Sequence, residues 1–304
     1  MLDFLLRNID PVSVLKWVVS LPTPEAEYRQ IIAERADAKE KLAAATALLL
    51  APDPKTSLTG VRALVAIADS SSGFRRQRAV SALCDYLKGP EPDEAVGTLI
   101  LENFKRHLQV RQGDVADLEP LDPDLPQASL WTDCVFDLQD ATFTTDVDLS
   151  RCVFRVHVDL QGAVFAAKAD FSYVDFRGGA DFQDATFRGR TTFASTRFAD
   201  PVDFQGAQFA KVTDFKACRF LAATDFADTR FAGPARFKGS LFAGMTDFGE
   251  ARFLGPADFS DTRFGEPLLA RVIKLDNPDL DGALFQGGVS FEGSTVDFDV
   301  AYAR

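Results

Sequence analysis

The residues that most often carry catalysis or metal binding are scarce in this chain of 304 residues, which has two histidines and four cysteines. His107 lies in a predicted helix and His157 lies between two valines, and neither has a cysteine or carboxylate at the spacing of a metal site. We predict structural or surface roles for both. The sequence also lacks GxSxG, P-loop, dinucleotide-binding and DxDxDG calcium motifs. These observations favour a non-enzymatic protein without a metal or cofactor.

The four cysteines, Cys84, Cys134, Cys152 and Cys218, show no CxxC spacing. Three of them stand two residues before a phenylalanine, in a slot that holds small side chains elsewhere in the chain. We therefore predict reduced thiols buried in a core, which is typical of a cytoplasmic protein.

The formal charge is −12, from 33 basic and 45 acidic residues. This balance argues against a general affinity for DNA, RNA or anionic membranes. Between Phe165 and Phe264, however, 13 acidic residues are balanced by 13 basic ones, so the excess lies in the flanking regions. We therefore expect another protein, and not a nucleic acid, as the partner.

The N-terminal segment up to Pro24 is the most apolar part of the chain, but charged residues interrupt it. The sequence contains no stretch of 18 uncharged apolar residues and no secretory leader, so we expect neither a transmembrane helix nor secretion. Trp17 and its apolar neighbours favour packing against other helices. The alternative is a peripheral-membrane scaffold that uses residues 2–21.

Residues 1–111 are predicted to form a helical domain, because Asp-Pro and Thr-Pro pairs mark helix starts and further prolines mark stops. Strong helix formers fill the intervals between these signals. The predicted helices are Asp10–Ser20, a long helix after Thr23 that ends before Pro52, Leu58–Ala68, Phe74–Leu87 and one that begins near Asp93.

An acidic, proline-rich stretch at 112–130 follows and is predicted to be a linker or a strap on the surface. Arg75, Arg76 and Arg78 form a small basic cluster at the start of the fourth predicted helix. We interpret this cluster as a solvated helix start, with a contact to the acidic strap as the alternative.

From about Leu138 the chain is dominated by phenylalanine, which accounts for 28 residues in total. The gaps between rings alternate between six and five residues, and Leu160, Phe154, Leu149, Phe143 and Leu138 extend the pattern backwards. An eleven-residue repeat is therefore evident in the sequence. The ladder consists of Phe165, Phe171, Phe176, Phe182, Phe187, Phe193, Phe198, Phe204, Phe209, Phe215, Phe220, Phe226, Phe231, Phe237, Phe242, Phe248, Phe253, Phe259 and Phe264.

The repeat predicts short extended segments joined by corners. A small residue stands two positions before each ring, so both side chains can point inward while their neighbours point outward. Glycine and proline recur in the six-residue gaps, which is too often for a helix. Four segments, which are two of the eleven-residue repeats, would close one square coil around four phenylalanines.

The strings ADFQDATF, TDFADTRF and ADFSDTRF resemble the pentapeptide-repeat family over about Leu138–Val296. This resemblance implies a right-handed quadrilateral β-helix, which with the helical domain gives an α+β chain. It also implies little chemistry, since most members have no assigned activity and the best-understood subgroup mimics DNA and binds DNA gyrase. The segment at 60–88 is similar to the helical region that precedes the repeats in some actinobacterial-type members, which are often tethered to membranes; no tether is expected here.

The residue before every second ring is usually aspartate. With two repeats in each coil, one face carries an unbroken column, while the opposite face is interrupted by Thr192 and Arg236. Arginines occupy the two remaining faces, so we expect acidic and basic faces to alternate. The column has two interpretations: a short polar side chain suits a corner because it bonds nearby backbone, or the face binds a partner. Its members are Asp181, Asp203, Asp225 and Asp247.

The solenoid domain is predicted to span 131–304, with a register break near 265–279 and a C-terminal cap that could contact a second copy. The helical domain or its strap would cap the N-terminal end. The sequence thus favours a cytoplasmic protein-interaction scaffold. A DNA-mimic regulator of gyrase or of another DNA-binding enzyme, acting through the acidic face, is the alternative.

Overall fold

The computed structural model describes the backbone of residues 24–110 and 124–265 and of five two-residue strands within 268–296, and side chains over 36–110 and 124–265. The chain divides into two compact units, 1–45 and 46–304. Three predictions lie outside the described residues: the helix at Asp10–Ser20, the packing or membrane contact of Trp17 within residues 2–21, and the C-terminal cap with its contact to a second copy. Of the strap predicted at 112–130, only residues 124–130 are described.

Four helices are described, and they confirm the second to fifth helices of the prediction: α1 (Pro24–Leu49), α2 (Pro54–Asp69), α3 (Gly73–Leu87) and α4 (Glu94–Leu108). The Asp53 carboxylate accepts the Thr56 N–H before α2, where Pro54 supplies the first helical residue. Asp93 does the same for the first turn of α4. A 3₁₀ turn at Gln127–Ser129 follows.

Helices α2, α3 and α4 share a core of fully buried side chains, among them Val61, Leu64, Val80, Leu83 and Ile100. Their apolar residues recur at helical spacing, so each helix buries one stripe.

Residues 136–265 and the five strands within 268–296 form a solenoid of two-residue parallel strands arranged in four sheets. The first sheet contains β1 (Phe136–Asp137), β5 (Val158–Asp159), β9 (Ala180–Asp181), β13 (Val202–Asp203), β17 (Thr224–Asp225), β21 (Thr246–Asp247), β25 (Leu268–Leu269) and β28 (Val289–Ser290). The second contains β2 (Thr142–Phe143), β6 (Val164–Phe165), β10 (Thr186–Phe187), β14 (Gln208–Phe209), β18 (Arg230–Phe231), β22 (Arg252–Phe253), β26 (Lys274–Leu275) and β29 (Thr295–Val296).

The third sheet contains β3 (Val147–Asp148), β7 (Ala169–Asp170), β11 (Thr191–Thr192), β15 (Thr213–Asp214), β19 (Ala235–Arg236) and β23 (Ala257–Asp258). The fourth contains β4 (Val153–Phe154), β8 (Asp175–Phe176), β12 (Arg197–Phe198), β16 (Arg219–Phe220), β20 (Leu241–Phe242), β24 (Arg263–Phe264) and β27 (Leu284–Phe285). Each strand pairs with the strand one coil away, for example Phe187 with Phe209, and the quadrilateral coil of two repeats is confirmed.

Two kinds of corner alternate along each coil. The five-residue steps use a tight turn in which the third residue has a positive φ, as at Ala217 (φ 53°) and Gly239 (φ 69°). The turn is closed by a backbone hydrogen bond such as Cys218 N–H to Phe215 O, which marks a type II turn. The six-residue steps use wider corners, where many of the glycines and prolines lie, including Gly233 and Pro234.

The interior is a ladder of phenylalanine rings, as predicted. Phe193 and Phe215 stack at 4.9 Å between centroids with an interplanar angle of 1°, and this stacking recurs from coil to coil. Neighbouring columns meet edge to face, for example Phe204 and Phe215 at 5.5 Å and 83°. Every ring of the predicted ladder is buried. Stacking of one ring type at the strand spacing accounts for the bias toward phenylalanine.

The small inward slot also holds hydroxyls and thiols. Thr229 Oγ1 donates to Phe204 O at 2.9 Å, and Cys218 Sγ lies 2.9 Å from Phe193 O. These buried polar atoms are therefore satisfied by the backbone of the preceding coil. All four cysteines are free and buried, as predicted.

Helix α3 packs against β1 at the N-terminal end of the solenoid, and its Arg76 is only 6% exposed. Its guanidinium donates to four carbonyl oxygens: those of Ala68 at 3.1 Å, Leu130 at 2.7 Å, Ser71 at 2.6 Å and Ala128. The prediction of a solvated helix start is therefore wrong for Arg76. The alternative is confirmed for this side chain, because Ala128 and Leu130 lie within the strap predicted at 112–130.

His107 lies beside this junction and is fully buried. Its ring stacks on Trp131 at 4.0 Å, Nδ1 lies 2.7 Å from Asn103 O, and Nε2 lies 2.9 Å from Asp69 Oδ1. Trp131 Nε1 donates to the same carboxylate oxygen at 3.2 Å. His107 therefore has a structural role.

The pitch changes near the C-terminal end. Within the predicted break at 265–279, β25 and β26 keep the pitch of the preceding coils, since Thr246 pairs with Leu268 and Arg252 with Lys274. The next pairing joins Phe264 to Phe285, a step one residue shorter than those before it. One residue is thus missing between β26 and β27.

Candidate interaction surface

The first sheet carries a column of aspartates on its outer surface, each at the second position of a strand. Asp181, Asp203, Asp225 and Asp247 pair in register along adjacent strands. The structure therefore brings the four predicted residues together. It adds Asp137 and Asp159: Asp137 pairs in register with Asp159, and Asp159 pairs in register with Asp181. We call these six residues the acidic column.

The two added members were available from the sequence. Asp159 and Asp137 precede Leu160 and Leu138, which continue the ladder backwards with leucine in place of phenylalanine. Because leucine replaces phenylalanine at Leu138 and Leu160, the phenylalanine spacing alone does not indicate these two aspartates.

Every member of the acidic column bonds the backbone of the turn that follows it. Asp203 Oδ1 accepts the Gln205 N–H at 2.7 Å, and Asp225 Oδ1 accepts the Ala227 N–H at 2.7 Å. The same contact is made at Asp137, Asp159, Asp181 and Asp247. These are Asx turns, in which a side-chain oxygen satisfies an otherwise unpaired N–H at the corner. One carboxylate oxygen therefore has a structural role. Oδ2 is left over at every member except Asp137, where it accepts from Lys88.

The middle of the acidic column is electrostatically uncompensated. Partial burial, reinforced by the charges of neighbouring aspartates, raises the pKa of Asp203 and of Asp225 above the ordinary value, against the opposing effect of the backbone hydrogen bonds. At the N-terminal end the hydrogen bond from Lys88, at 2.8 Å, lowers the pKa of Asp137. Within the described chain, no basic nitrogen lies within 4 Å of Asp159, Asp181, Asp203, Asp225 or Asp247.

The third sheet also carries aspartates, but there cations accompany them. Lys168 Nζ lies 3.3 Å from Asp170, and Arg236 Nη1 lies 3.9 Å from Asp214. The first and third sheets therefore differ in how far their carboxylates are neutralised by nearby cations, although both carry aspartate at the second position of most strands.

A second line of acids runs beside the acidic column, at the positive-φ position of the tight corner that leads to the second sheet. Gly162 and Gly206 separate the first three of its exposed members, and the last two lie on consecutive coils. We call these residues the acidic edge: Asp140, Asp184, Asp228 and Glu250. A Cβ at Gly206 would lie 2.3 Å from Asp184 Oδ1, so the glycine makes room for the carboxylate of the preceding coil. Sequence reasoning missed this edge, although its regular spacing was present.

Arginines occupy the two other sheets, as predicted. On the second sheet Arg230 and Arg252 pair in register and are exposed. They line a shallow groove of about 210 Å³ with Gly206, Gln208 and Asp228. The fourth sheet carries Arg197, Arg219 and Arg263, of which Arg197 pairs with Asp175 at 2.8 Å.

The histidine and cysteine side chains that could take part in chemistry lie apart from these surfaces. His157 is exposed at a wide corner. Burial raises the pKa of Cys134 to about 12, and it also raises the pKa values of Cys84, Cys152 and Cys218, so that their thiols are held protonated at neutral pH. No three His, Cys, Asp or Glu side chains converge on a metal-sized site in the described ranges.

The helices are short or polar. Of those described, none has both the length and the apolar character that a membrane crossing needs.

Comparison with known families supports the repeat. Residues 151–197, 171–219, 193–241 and 226–268 match the family described as pentapeptide repeats (9 copies). Together with the four parallel sheets, this match shows that residues 151–268 of the solenoid are pentapeptide repeats. In the structure the solenoid begins before the matched region, at β1, and continues beyond it to β29. Neither the curated proteins nor the solved structures contain a match to the chain.

Proposed function

We propose that this protein is a non-catalytic interaction scaffold whose solenoid presents the acidic column to a basic surface of another protein. A repeat-protein scaffold follows from the pentapeptide-repeat fold itself. The choice of face is carried by one observation, the in-register column whose central members lack a cation within 4 Å among the described residues.

The geometry favours binding without catalysis. The coil interior is filled by phenylalanine, and the described groove on the second sheet is shallow, whereas substrate sites are usually concave and enclosed. A flat, rigid face with regularly spaced charges suits recognition of an extended basic partner, because little conformational entropy is lost when it binds.

The test replaces Asp181, Asp203, Asp225 and Asp247 with asparagine in the full chain. Asparagine keeps the side-chain oxygen of the Asx turn and removes the charge. Affinity capture from the native host, read by mass spectrometry, should lose its main retained protein with this variant. The loss should be reproduced with the purified partner as an increase of the Kd.

The matched control replaces Asp170, Asp214 and Asp258 with asparagine, which changes the same strand position on the third sheet. We expect retention of the partner by this control. Equal binding by the wild type and the first-sheet variant would remove the acidic column from the proposal.

The acidic edge favours a second candidate, mimicry of the DNA backbone for an enzyme such as gyrase. The edge adds charge beside the acidic column and so raises the linear charge density of this side toward that of DNA. Arg230 and Arg252 on the adjacent sheet oppose it. This candidate predicts that the chain inhibits DNA supercoiling and that the four-asparagine variant does not; a wild type without inhibition would contradict it.

A further inference from the structure

The second sheet carries an arginine pair that the fold leaves without a counter-ion. Arg230 and Arg252 occupy the same position in the adjacent strands β18 and β22, and both are exposed. In the part of the chain that the structure describes, no carboxylate oxygen lies within 4 Å of either guanidinium. Two like charges are thus held one coil apart on a flat sheet.

The spacing of this pair equals the spacing of the acidic column, because both repeat once per coil. Asp203 and Asp225 are also in register on adjacent strands, one coil apart. A cation pair and an anion pair with the same pitch can meet in register without any adjustment of either backbone. The complementary surface for Arg230 and Arg252 is therefore present on the molecule itself, on the sheet next to them.

Within one copy these surfaces cannot meet, since the first and second sheets are consecutive faces of the quadrilateral coil. We propose that the second sheet of one copy binds the first sheet of a second copy, with Arg230 and Arg252 against Asp203 and Asp225. This inference deepens the proposed function, because it names a second copy of the chain as a partner of the acidic column.

The contact joins two different faces, so it is heterologous and leaves one free face of each kind. When the solenoid axes run parallel, consecutive faces differ by about a quarter turn. Arg230 lies on the same coil as Asp225, so its pairing with Asp203 also shifts each copy by about one coil along the axis, and successive contacts form an open helical assembly. Exposed ion pairs are individually weak and screened by salt, so assembly should depend on concentration and ionic strength.

The experiment is sedimentation velocity on the full 33.3 kDa chain at about 50 mM and about 500 mM salt. We expect association at low salt and a Kd for self-association weakened at least about tenfold at high salt. Arg230→Glu with Arg252→Glu should be monomeric, and so should Asp203→Asn with Asp225→Asn. An equimolar mixture of these two variants should form a dimer, because one carries an intact acidic column and the other an intact arginine pair.

The matched control is Arg219→Glu with Arg263→Glu on the fourth sheet, which should associate like the wild type. Circular dichroism checks that each variant is folded. A monomeric wild type at low salt, loss of association in the control, or failure of the mixture to dimerise would each overturn the proposal. If the wild type is monomeric while the variant with asparagine at all four positions of the capture experiment still loses the captured partner, the self-association proposal fails and the proposed function stands.

Discussion

At the scale of single residues, the tight corners demand a left-handed backbone from residues that rarely adopt it. Of the twelve tight-corner positions that recur at every repeat from Asp140 to Asp261, three hold glycine and the others hold larger residues. A left-handed conformation costs an L-residue about 1–2 kcal/mol relative to glycine. The solenoid therefore carries local strain that its packing offsets.

This strain predicts opposite effects for two substitutions at equivalent positions. Ala217→Gly should raise the free energy of unfolding by about 0.5–1 kcal/mol, and Gly239→Ala should lower it by about 1 kcal/mol. Gly239 is a clean site, because a Cβ there would meet no atom within 4 Å. Urea denaturation followed by circular dichroism measures both; a stabilised Gly239→Ala variant would contradict the assignment of strain.

The aspartates of the acidic column combine a structural oxygen with an unfavourable charge, and the two contributions can be separated. Asp203→Asn keeps the acceptor for the Gln205 N–H and removes the charge, so it should stabilise the fold by about 0.5 kcal/mol at pH 7. Asp203→Ala removes the acceptor as well and should destabilise the fold by about 1 kcal/mol. Thermal unfolding of the pair distinguishes these outcomes, and equal Tm values would show that the Asx turn contributes nothing.

The pH dependence follows from the raised pKa values of Asp203 and Asp225. A carboxyl whose pKa is higher in the folded state than in the unfolded state binds its proton more tightly when folded, so its protonation stabilises the fold. Acidification from neutral pH through the raised pKa values, which lie above the ordinary 3.8, should therefore shrink the advantage of Asp203→Asn with Asp225→Asn over the wild type. A constant difference in unfolding free energy across that window would contradict the electrostatic account.

At the scale of elements, the phenylalanine columns act as continuous stacks that tie one coil to the next. Phe215 stacks on Phe193 and Phe237 at 4.9 and 5.0 Å and is fully buried. Phe215→Ala should lower the free energy of unfolding by about 3–5 kcal/mol, because it removes a ring and leaves a cavity.

Phe215→Leu is the matched comparison, and it should cost less because much of the volume is kept. Chemical denaturation of both variants gives the ranking, and an alanine variant as stable as the leucine variant would mean that the coils collapse around the gap.

The elements of the solenoid were predictable from sequence because one ring type, one small slot and one pitch repeat without exception over 165–264. The two corner types were foreseen as five- and six-residue steps, but the positive φ at residues such as Tyr173 was not, since a tyrosine gives no turn signal. Arg76 was misassigned because two of its acceptors, Leu130 and Ala128, are more than fifty residues away along the chain. Such contacts depend on tertiary packing, which local patterns do not encode.

At the scale of the whole molecule, the stability of each coil should depend on its interfaces with the coils before and after it. A solenoid is held by interfaces between consecutive coils, so its ends depend on their caps. Helix α3 and Arg76 supply the N-terminal cap, and salt bridges from Lys88 to Asp137 and from Lys105 to Asp148 reinforce it.

Arg76→Met removes the four hydrogen bonds to carbonyl oxygens while it keeps much of the side-chain volume. We expect a loss of about 3 kcal/mol or more, because the acceptors remain buried without partners. Hydrogen exchange should report the loss locally, with faster exchange in β1 to β4 and unchanged protection in β13 to β16. Uniformly faster exchange in all coils would instead indicate that the solenoid unfolds as a single cooperative unit.

The phenylalanine columns of the core and the charged columns of the surface repeat with the same pitch, and this limits how such a chain can change in length. Duplicating or deleting two consecutive repeats inserts or removes one complete coil. Both the aromatic interior and every outer column of side chains then continue across the site of the change. A change of a single repeat also preserves the interior, but it rotates everything downstream by half a revolution, so that aspartates of the first sheet would follow those of the third. Selection for folding alone would tolerate either event, whereas selection for a continuous charged stripe tolerates only the longer one.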